Sequence, residues 1–340
     1  MSNNKTITIN GTDIEPGQTK EIEIFISKLY DFTQLSMPVK VIRGQEDGPR
    51  LFICAAIHGD EVNGIEIINR VLKSPRIKKL KGTLIALPIV NVLGFNNLTR
   101  YLPDRRDLNR CFPGSPKGPM ASRLANIFVK EILDNATHGI DLHTGAQQRT
   151  NLPQIRACLN NKETARLANA FDVPVILDAD VIAGSLRSAA LERKIPLLVF
   201  EGGEALRYND VAIRSGVSGI LSVMENLDMI KKSDKRSKPI KSFVAKGSHW
   251  VRASHSGILN IQKKLGSVIQ KGDLLGIITD PLGKDEIAVK AQKKGIIIGH
   301  RKLPLVNQGD ALFHVATFDK TKFVGKSIAQ FDDQFDYEER

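Results

Sequence analysis

Short apolar runs alternating with helix-period segments constrain this chain more than any other feature. Residues 51–57, 83–89, 139–143, 173–177 and 195–200 are each too short for a buried helix and read as buried strands. Between them apolar residues recur at helical spacing: Val62, Ile65, Ile68, Val71 and Leu72, then Leu124, Ile127, Phe128 and Ile132 within 121–133. Further helices are expected over 164–171 and 210–230. The alternation predicts an α/β fold, a mostly parallel mixed sheet with helices on both faces. Ahead of it, residues 5–50 carry alternating segments such as Ile22-Glu23-Ile24-Phe25-Ile26, separated by Asn10-Gly11 and Pro16-Gly17 turns, as expected of a β-ribbon leading into the first buried strand.

From about Phe243 helical periodicity stops and an internal repeat begins. Gly257-Ile258-Leu259 is followed by Gly266 to Leu275 with Gly272-Asp273, and Gly295-Ile296-Ile297-Ile298 by Leu305 to Leu312 with Gly309-Asp310. Two copies of matched spacing predict a small all-β barrel resembling the biotinyl/lipoyl carriers, with the Gly-Asp pairs as tight turns. It has no lysine flanked by hydrophobic residues at a hairpin tip, which argues against a swinging-arm cofactor. The resulting division is an N-terminal β-ribbon (1–48), a catalytic domain (49–232), a basic linker (233–242), the β-barrel (243–318) and a charged C-terminal tail (319–340).

The first buried strand runs into His58-Gly59-Asp60-Glu61, which places His58 at a strand end and Glu61 in the first turn of the next helix. Residues three apart there share a face, so an imidazole and a carboxylate converge. His143, at the end of the 139–143 run, supplies a third donor from another strand end. Two histidines and a carboxylate make a catalytic zinc set, which uses three protein ligands and keeps one position open. Asp141 shares a strand face with His143 and either orients that imidazole or bonds a neighbouring backbone group. Between these segments the Pro/Gly-bounded stretch from Arg100 to Gly114 carries Asn109 and several arginines. It reads equally as a fork onto a carboxylate or as a surface loop pairing with Asp104 and Asp107.

At 340 residues the chain exceeds one ordinary core. With 41% hydrophobic and 25% charged residues it is globular rather than disordered. No apolar run approaches the roughly 20 residues that span a bilayer. The N-terminus lacks a signal-peptide core, and three scattered cysteines fit a reduced compartment, so a cytoplasmic location is expected. The net charge of +12 invites a nucleic-acid partner. The basic residues are scattered, however, apart from Lys231, Lys232, Lys235, Arg236, Lys238, Lys241 and Lys246 near the linker. No groove-reading motif accompanies them, so neither nucleic acid nor membrane is an expected partner.

Four segments occur together in one order: His58-Gly59-Asp60-Glu61, Asp107-Leu108-Asn109-Arg110-Cys111-Phe112-Pro113-Gly114, Asp141-Leu142-His143-Thr144-Gly145 and Phe200-Glu201-Gly202-Gly203. In this the chain, over about residues 10–316, resembles the succinylglutamate desuccinylase/aspartoacylase family, a branch of the zinc carboxypeptidase-like fold. The resemblance implies one zinc ion per chain on His58, Glu61 and His143, in agreement with the residue chemistry. It implies Glu201 as the catalytic carboxylate and Asn109 and Arg110 as ligands of the substrate's carboxylate. Arg100 resembles the arginine that polarises the scissile carbonyl, with Arg105 and Arg106 as alternatives because the loop is long. Arg187 resembles a further substrate arginine, with an insertion before Glu201. The expected activity is deacylation of a small N-acyl amino acid or related acylated amine that bears a carboxylate. A carboxypeptidase acting on peptides, or a noncatalytic protein that binds acidic ligands, is the alternative. The barrel is expected to be either a lid over the site or a module for homo-oligomer assembly.

Overall fold

The computed structural model describes residues 6–233 and 239–336. Strands β1 (Ile7–Ile9) and β2 (Thr12–Ile14) form a hairpin whose turn residues, Asn10 and Gly11, both have positive φ, as a primed two-residue turn requires. Next come β3 (Thr19–Lys28), β4 (Gln34–Arg43), β5 (Arg50–Ala55), α1 (Asn63–Lys73), β6 (Thr83–Leu87), α2 (Val92–Asn96) and α3 (Met120–Glu131). The middle of the chain forms β7 (His138–Gly145), β8 (Arg149–Ala157), α4 (Lys162–Ala170), β9 (Val175–Asp178), α5 (Leu186–Glu192), β10 (Leu197–Glu204) and α6 (Asp210–Asn226).

A mixed sheet of thirteen strands among the described residues organises the molecule. Its centre is parallel, in the order β10-β7-β5-β6, and β9 lies parallel to β8. The flanking pairs are antiparallel: β8 on β10, and β4 on β6 followed by β3 on β4. The sheet is therefore less parallel than the apolar runs predict; β3 and β4 of the N-terminal ribbon form one edge of it, while β1 and β2 make a two-stranded sheet of their own. Helices cover both faces. α3 and α5 bury Phe128, Leu124, Leu186 and Ala190 with Phe52 and Leu87 on one side. On the other, α1, α4 and α6 bury Ile67, Ile68, Leu167, Ile220 and Met224 with Ile53, Ile140 and Phe200. Side-chain oxygens of Asn161, Ser185 and Asn209 accept the amides of Thr164, Ser188 and Ala212, which fixes where α4, α5 and α6 begin.

The C-terminal β region comprises β11 (Phe243–Ala245), β12 (Gly247–Arg252), β13 (Gly257–Ile261), β14 (Val268–Ile269), β15 (Leu274–Thr279), β16 (Glu286–Lys290), β17 (Gly295–Arg301), β18 (Leu305–Val306) and β19 (Ala311–Thr317). Its two repeats pair crosswise. β13 of the first copy bonds β18 of the second, and β17 of the second bonds β14 of the first. Both turns are built alike: Gly272 and Gly309 have φ of 92° and 88°, and Asp273 and Asp310 each accept the backbone amide three residues earlier at 2.9 Å. This region is spliced into the central sheet, because β17 pairs with β8 through Gly299–Asn151, His300–Thr150 and Arg301–Arg149.

One expectation changes, and another lies partly outside the described residues. The stretch read as a charged tail forms α7 (Thr321–Asp336), which buries Val324, Ile328, Phe331 and Phe335 at helical spacing. Of the expected basic linker, residues 234–238, including Lys235, Arg236 and Lys238, lie outside the described residues. No described helix is long and apolar enough to cross a membrane.

Candidate active site

His58 lies three residues past β5, in a tight turn closed by the Glu61 amide on the His58 carbonyl at 3.1 Å. Gly59 makes the turn fit: a Cβ there would sit 2.0 Å from the Gly94 carbonyl carbon. Glu61 therefore precedes α1 instead of lying in its first turn, since helical backbone starts only at Asn63. His143 lies within β7, two residues before its end, with Asp141 on the same face.

These three side chains converge. His58 Nδ1 is 2.9 Å from Glu61 Oε1, His143 Nδ1 is 2.8 Å from Glu61 Oε2, and the two Nδ1 atoms are 3.1 Å apart. All three residues are buried, and their ligand atoms form a set able to hold a metal ion. Donors around a tetrahedral zinc at about 2.0–2.2 Å stand roughly 3.3 Å from one another, so the observed spacing fits that ion after small adjustments. The far ring nitrogens are tied down: His143 Nε2 to Asp141 Oδ2 at 2.7 Å, His58 Nε2 to Asp107 Oδ1 at 3.1 Å. A carboxylate at Nε2 holds the proton there and turns the Nδ1 lone pair towards the shared point.

Electrostatics follow this geometry. Burial opposes the charge of Glu61, but the two imidazoles more than offset it and hold the carboxyl well below its ordinary range. Asp107 is likewise held low against its burial by His58 and Arg100. Burial pulls the His143 imidazole down, yet Asp141 and Glu61 push it well above the usual value.

A cleft of about 240 Å³ opens over this cluster. It is lined by His58, Glu61 and His143 together with Arg100, Asn109, Arg110, Arg187 and Glu201, so every expected site residue reaches one place. Arg100 pairs with Asp107 at 2.9 Å and Glu61 at 3.3 Å. Arg105 and Arg106 are exposed and do not line the cleft, Arg106 lying 3.8 Å from Asp104. Asn109 accepts the Leu186 amide at 2.8 Å, joining the arginine loop to the start of α5. Arg187 donates to the carbonyls of Ala179 and Asp180.

Glu201 lies inside β10, which continues to Glu204 past a bulge, rather than following the strand's end. It is in register with His143 on the neighbouring strand. Asn151 Nδ2 donates to its Oε2 at 2.6 Å, and Arg156 Nε pairs with Oε1 at 2.8 Å. Both partners come from β8, a strand absent from the sequence expectations because Pro153 and polar residues interrupt its apolar pattern. Trp250, from β12, also lines the cleft. Asp107 carries one sequence signal, its place two residues before Asn109 in the segment from Asp107 to Gly114. Nothing in the local sequence marked Asn151, Arg156 or Trp250.

A family model described as the succinylglutamate desuccinylase/aspartoacylase catalytic domain matches residues 47–227. A curated relative, the N-alpha-acetyl-L-2,4-diaminobutyric acid deacetylase of Halomonas elongata, is 26% identical over 294 residues, covering 82% of this chain and 85% of its own. The product-bound structure of an ectoine utilization protein from Ruegeria pomeroyi superposes with a TM-score of 0.80 at 22% identity, covering 88% of this chain and 95% of the other. A succinylglutamate desuccinylase/aspartoacylase structure from Rhodobacter sphaeroides gives 0.78 at 24%, with the same coverage.

Proposed function

The chain belongs to the succinylglutamate desuccinylase/aspartoacylase family, and from that premise we propose that it is a zinc-dependent amidohydrolase removing the acyl group from a small N-acyl amino acid or related acylated amine. The observation that carries the reading is the convergence of His58 Nδ1, Glu61 and His143 Nδ1 on one buried point, with carboxylates behind both imidazoles. The substrate named for the Halomonas elongata relative is an N-acetylated amino acid, in line with this class.

His58, Glu61 and His143 would hold one zinc ion per chain. Zinc supplies Lewis acidity, making water nucleophilic near neutral pH and polarising a carbonyl. Glu201 takes the proton of the attacking water and hands it to the leaving amine. Asn151 and Arg156 hold that carboxylate in place and aimed before the reaction. Arg100 faces the acyl oxygen, and its pairing with Asp107 fixes it against the metal ligands. Asn109, Arg110 and Arg187 receive the substrate's carboxylate.

The same proposal takes residues 49–232 as the catalytic unit, flanked by 1–48 and 243–318, in a cytoplasmic protein. It takes the C-terminal β region as a barrel of the biotinyl/lipoyl type, supported by the crosswise pairing of the repeats, serving as a wall of the cleft. Trp250 supports that role. The test is metal analysis joined to a screen of N-acyl amino acids against short peptides. About one zinc per chain and turnover of N-acyl amino acids are expected, with both lost in His58→Ala and His143→Ala. Full zinc content in both variants refutes the ligand assignment, and cleavage of peptides alone refutes the substrate class.

A further inference from the structure

The two contacts that Glu201 takes from β8 differ in kind. Arg156 Nε lies 2.8 Å from Oε1 but off the line of a hydrogen bond, so it supplies charge without direction. Among the described residues, the side-chain hydrogen bond on this carboxylate is the one that Asn151 Nδ2 donates to Oε2 at 2.6 Å. A carboxylate only accepts, so the NH2 end of Asn151 must face Glu201 and its Oδ1 must face away. That oxygen faces β17. Asn151 is paired with Gly299, Gly299 with His314 on β19, and His314 with Trp250 on β12, a single row across four strands. A Cβ on Gly299 would stand 2.7 Å from Asn151 Oδ1, 3.3 Å from the Thr150 carbonyl oxygen and 3.4 Å from His314 Cβ. Gly299 is not among the positive-φ glycines, so the backbone does not call for glycine here; the space does.

The walls of that space are unequally firm. His314 is buried and stacked on Trp250, with centroids 4.5 Å apart and planes 8° from parallel, and its Nε2 is 2.8 Å from Ser248 Oγ. The Asn151 amide is the wall that yields, and it has no room to retreat. At 2.6 Å its bond to Glu201 is already short, so a methyl group at 299 either swings the amide aside or drives the carboxylate before it. We propose that Gly299 is a positioning residue for the general base. Its missing side chain leaves the gap that fits the Asn151 amide, and through that amide the C-terminal β region aims Glu201 from within the sheet, not by covering the cleft. This inference rests on Glu201 acting as the base of the deacylase reading, and the experiment separates the two.

Gly299→Ala, Asn151→Ala and the double variant are compared with wild type as zinc-loaded full chains, on the N-acyl amino acid turned over fastest in the screen. Gly299→Ala should keep its zinc, and its KM within about twofold, because the proposed metal ligands and substrate arginines are untouched. Its kcat should fall about tenfold, in keeping with about 10²-fold for a 1 Å misplacement. Asn151→Ala should lose as much or more. In the Asn151→Ala background there is no amide to displace, so adding Gly299→Ala should change kcat by less than about twofold. A similar loss in both backgrounds, wild-type kcat in Gly299→Ala, or a kcat loss matched by loss of zinc overturns the proposal. If Gly299→Ala does not fold, the double variant carries the test, since its methyl fills vacated space: a folded protein with the kcat of Asn151→Ala supports the proposal, and failure to fold overturns it. Crystal structures of wild type and Gly299→Ala give a readout that needs no turnover. The Asn151 amide or the Glu201 carboxylate should move by about 0.5 Å or more while His314 stays in place, and an unmoved pair overturns the proposal. If the wild type cleaves no N-acyl compound, the deacylase reading falls, and the crystal comparison still decides whether Gly299 positions Glu201.

Discussion

Asp141→Asn isolates the contribution of the carboxylate behind His143, one of the three proposed metal ligands. Asp141 is 1% exposed, and its Oδ2 sits 2.7 Å from His143 Nε2 while Oδ1 accepts the Cys54 thiol at 3.4 Å. Asparagine keeps the shape but removes the charge, turning a charge-assisted bond into a neutral one. It also gives the imidazole a neighbour that no longer insists on the Nε2–H tautomer. The difference between the two kinds of bond is about 1–2 kcal/mol, which corresponds to roughly 5- to 30-fold weaker metal binding. Asp107→Asn removes the analogous partner of His58, but that carboxylate also holds Arg100 and the Asn109 amide. Its loss frees Arg100 to lean on Glu61, so turnover should fall further than metal affinity does. Competition against a chelating dye measures affinity, and thermal unfolding of the metal-free proteins checks that neither fold has changed. If folded Asp141→Asn binds zinc within twofold of wild type, the carboxylate does not orient the ligand and the reasoning fails.

Glu201→Gln should keep its zinc and lose turnover by on the order of 10²-fold or more, because an amide cannot accept the water's proton; near-normal turnover would remove Glu201 from the mechanism. Burial first, then Arg156, hold the His314 imidazole down to about 3. Its folded value thus lies below the unfolded one, near 6.5, so the unfolded chain binds the extra proton between these limits and stability falls as pH drops through that window. The slope approaches about 1.4 kcal/mol per pH unit, and urea titrations at pH 7 and 5 should show His314→Phe losing about 2 kcal/mol less than wild type; equal losses would exclude the effect. Trp250→Ala removes the wall contributed by β12, and the folded, zinc-loaded variant should gain activity on short peptides relative to N-acyl amino acids. An unchanged substrate profile there would end the lid reading in favour of an assembly role.

The cluster of His58, Glu61 and His143 was legible because its residue types admit few other uses when they lie in or just beyond apolar strands. Asp141 was legible through strand alternation alone. What stayed hidden was the support for Glu201. Asn151 and Arg156 lie on β8, buried yet polar because it faces the site, and a polar strand broken by Pro153 carries no hydrophobic period. Trp250 is about fifty residues from Glu201 and meets the cleft only because β17 is bonded to β8, a long-range pairing that no local window records. α7 was obscured for another reason: Val324, Ile328, Phe331 and Phe335 have helical spacing, but they are sparse among charged and polar residues.

The crossed pairing of the C-terminal repeat has a consequence for how such a region can arise and change. Each copy closes its partner's open edge, β18 on β13 and β14 on β17, so neither half has a complete set of backbone bonds by itself. A single ancestral copy would have had to borrow those strands from a second molecule, and duplication within one chain would convert that intermolecular clasp into an internal one. The two halves are now mutual templates. Lengthening the turn at Gly272 or Gly309 leaves the clasp intact, whereas removing either copy exposes at least two strand edges at once.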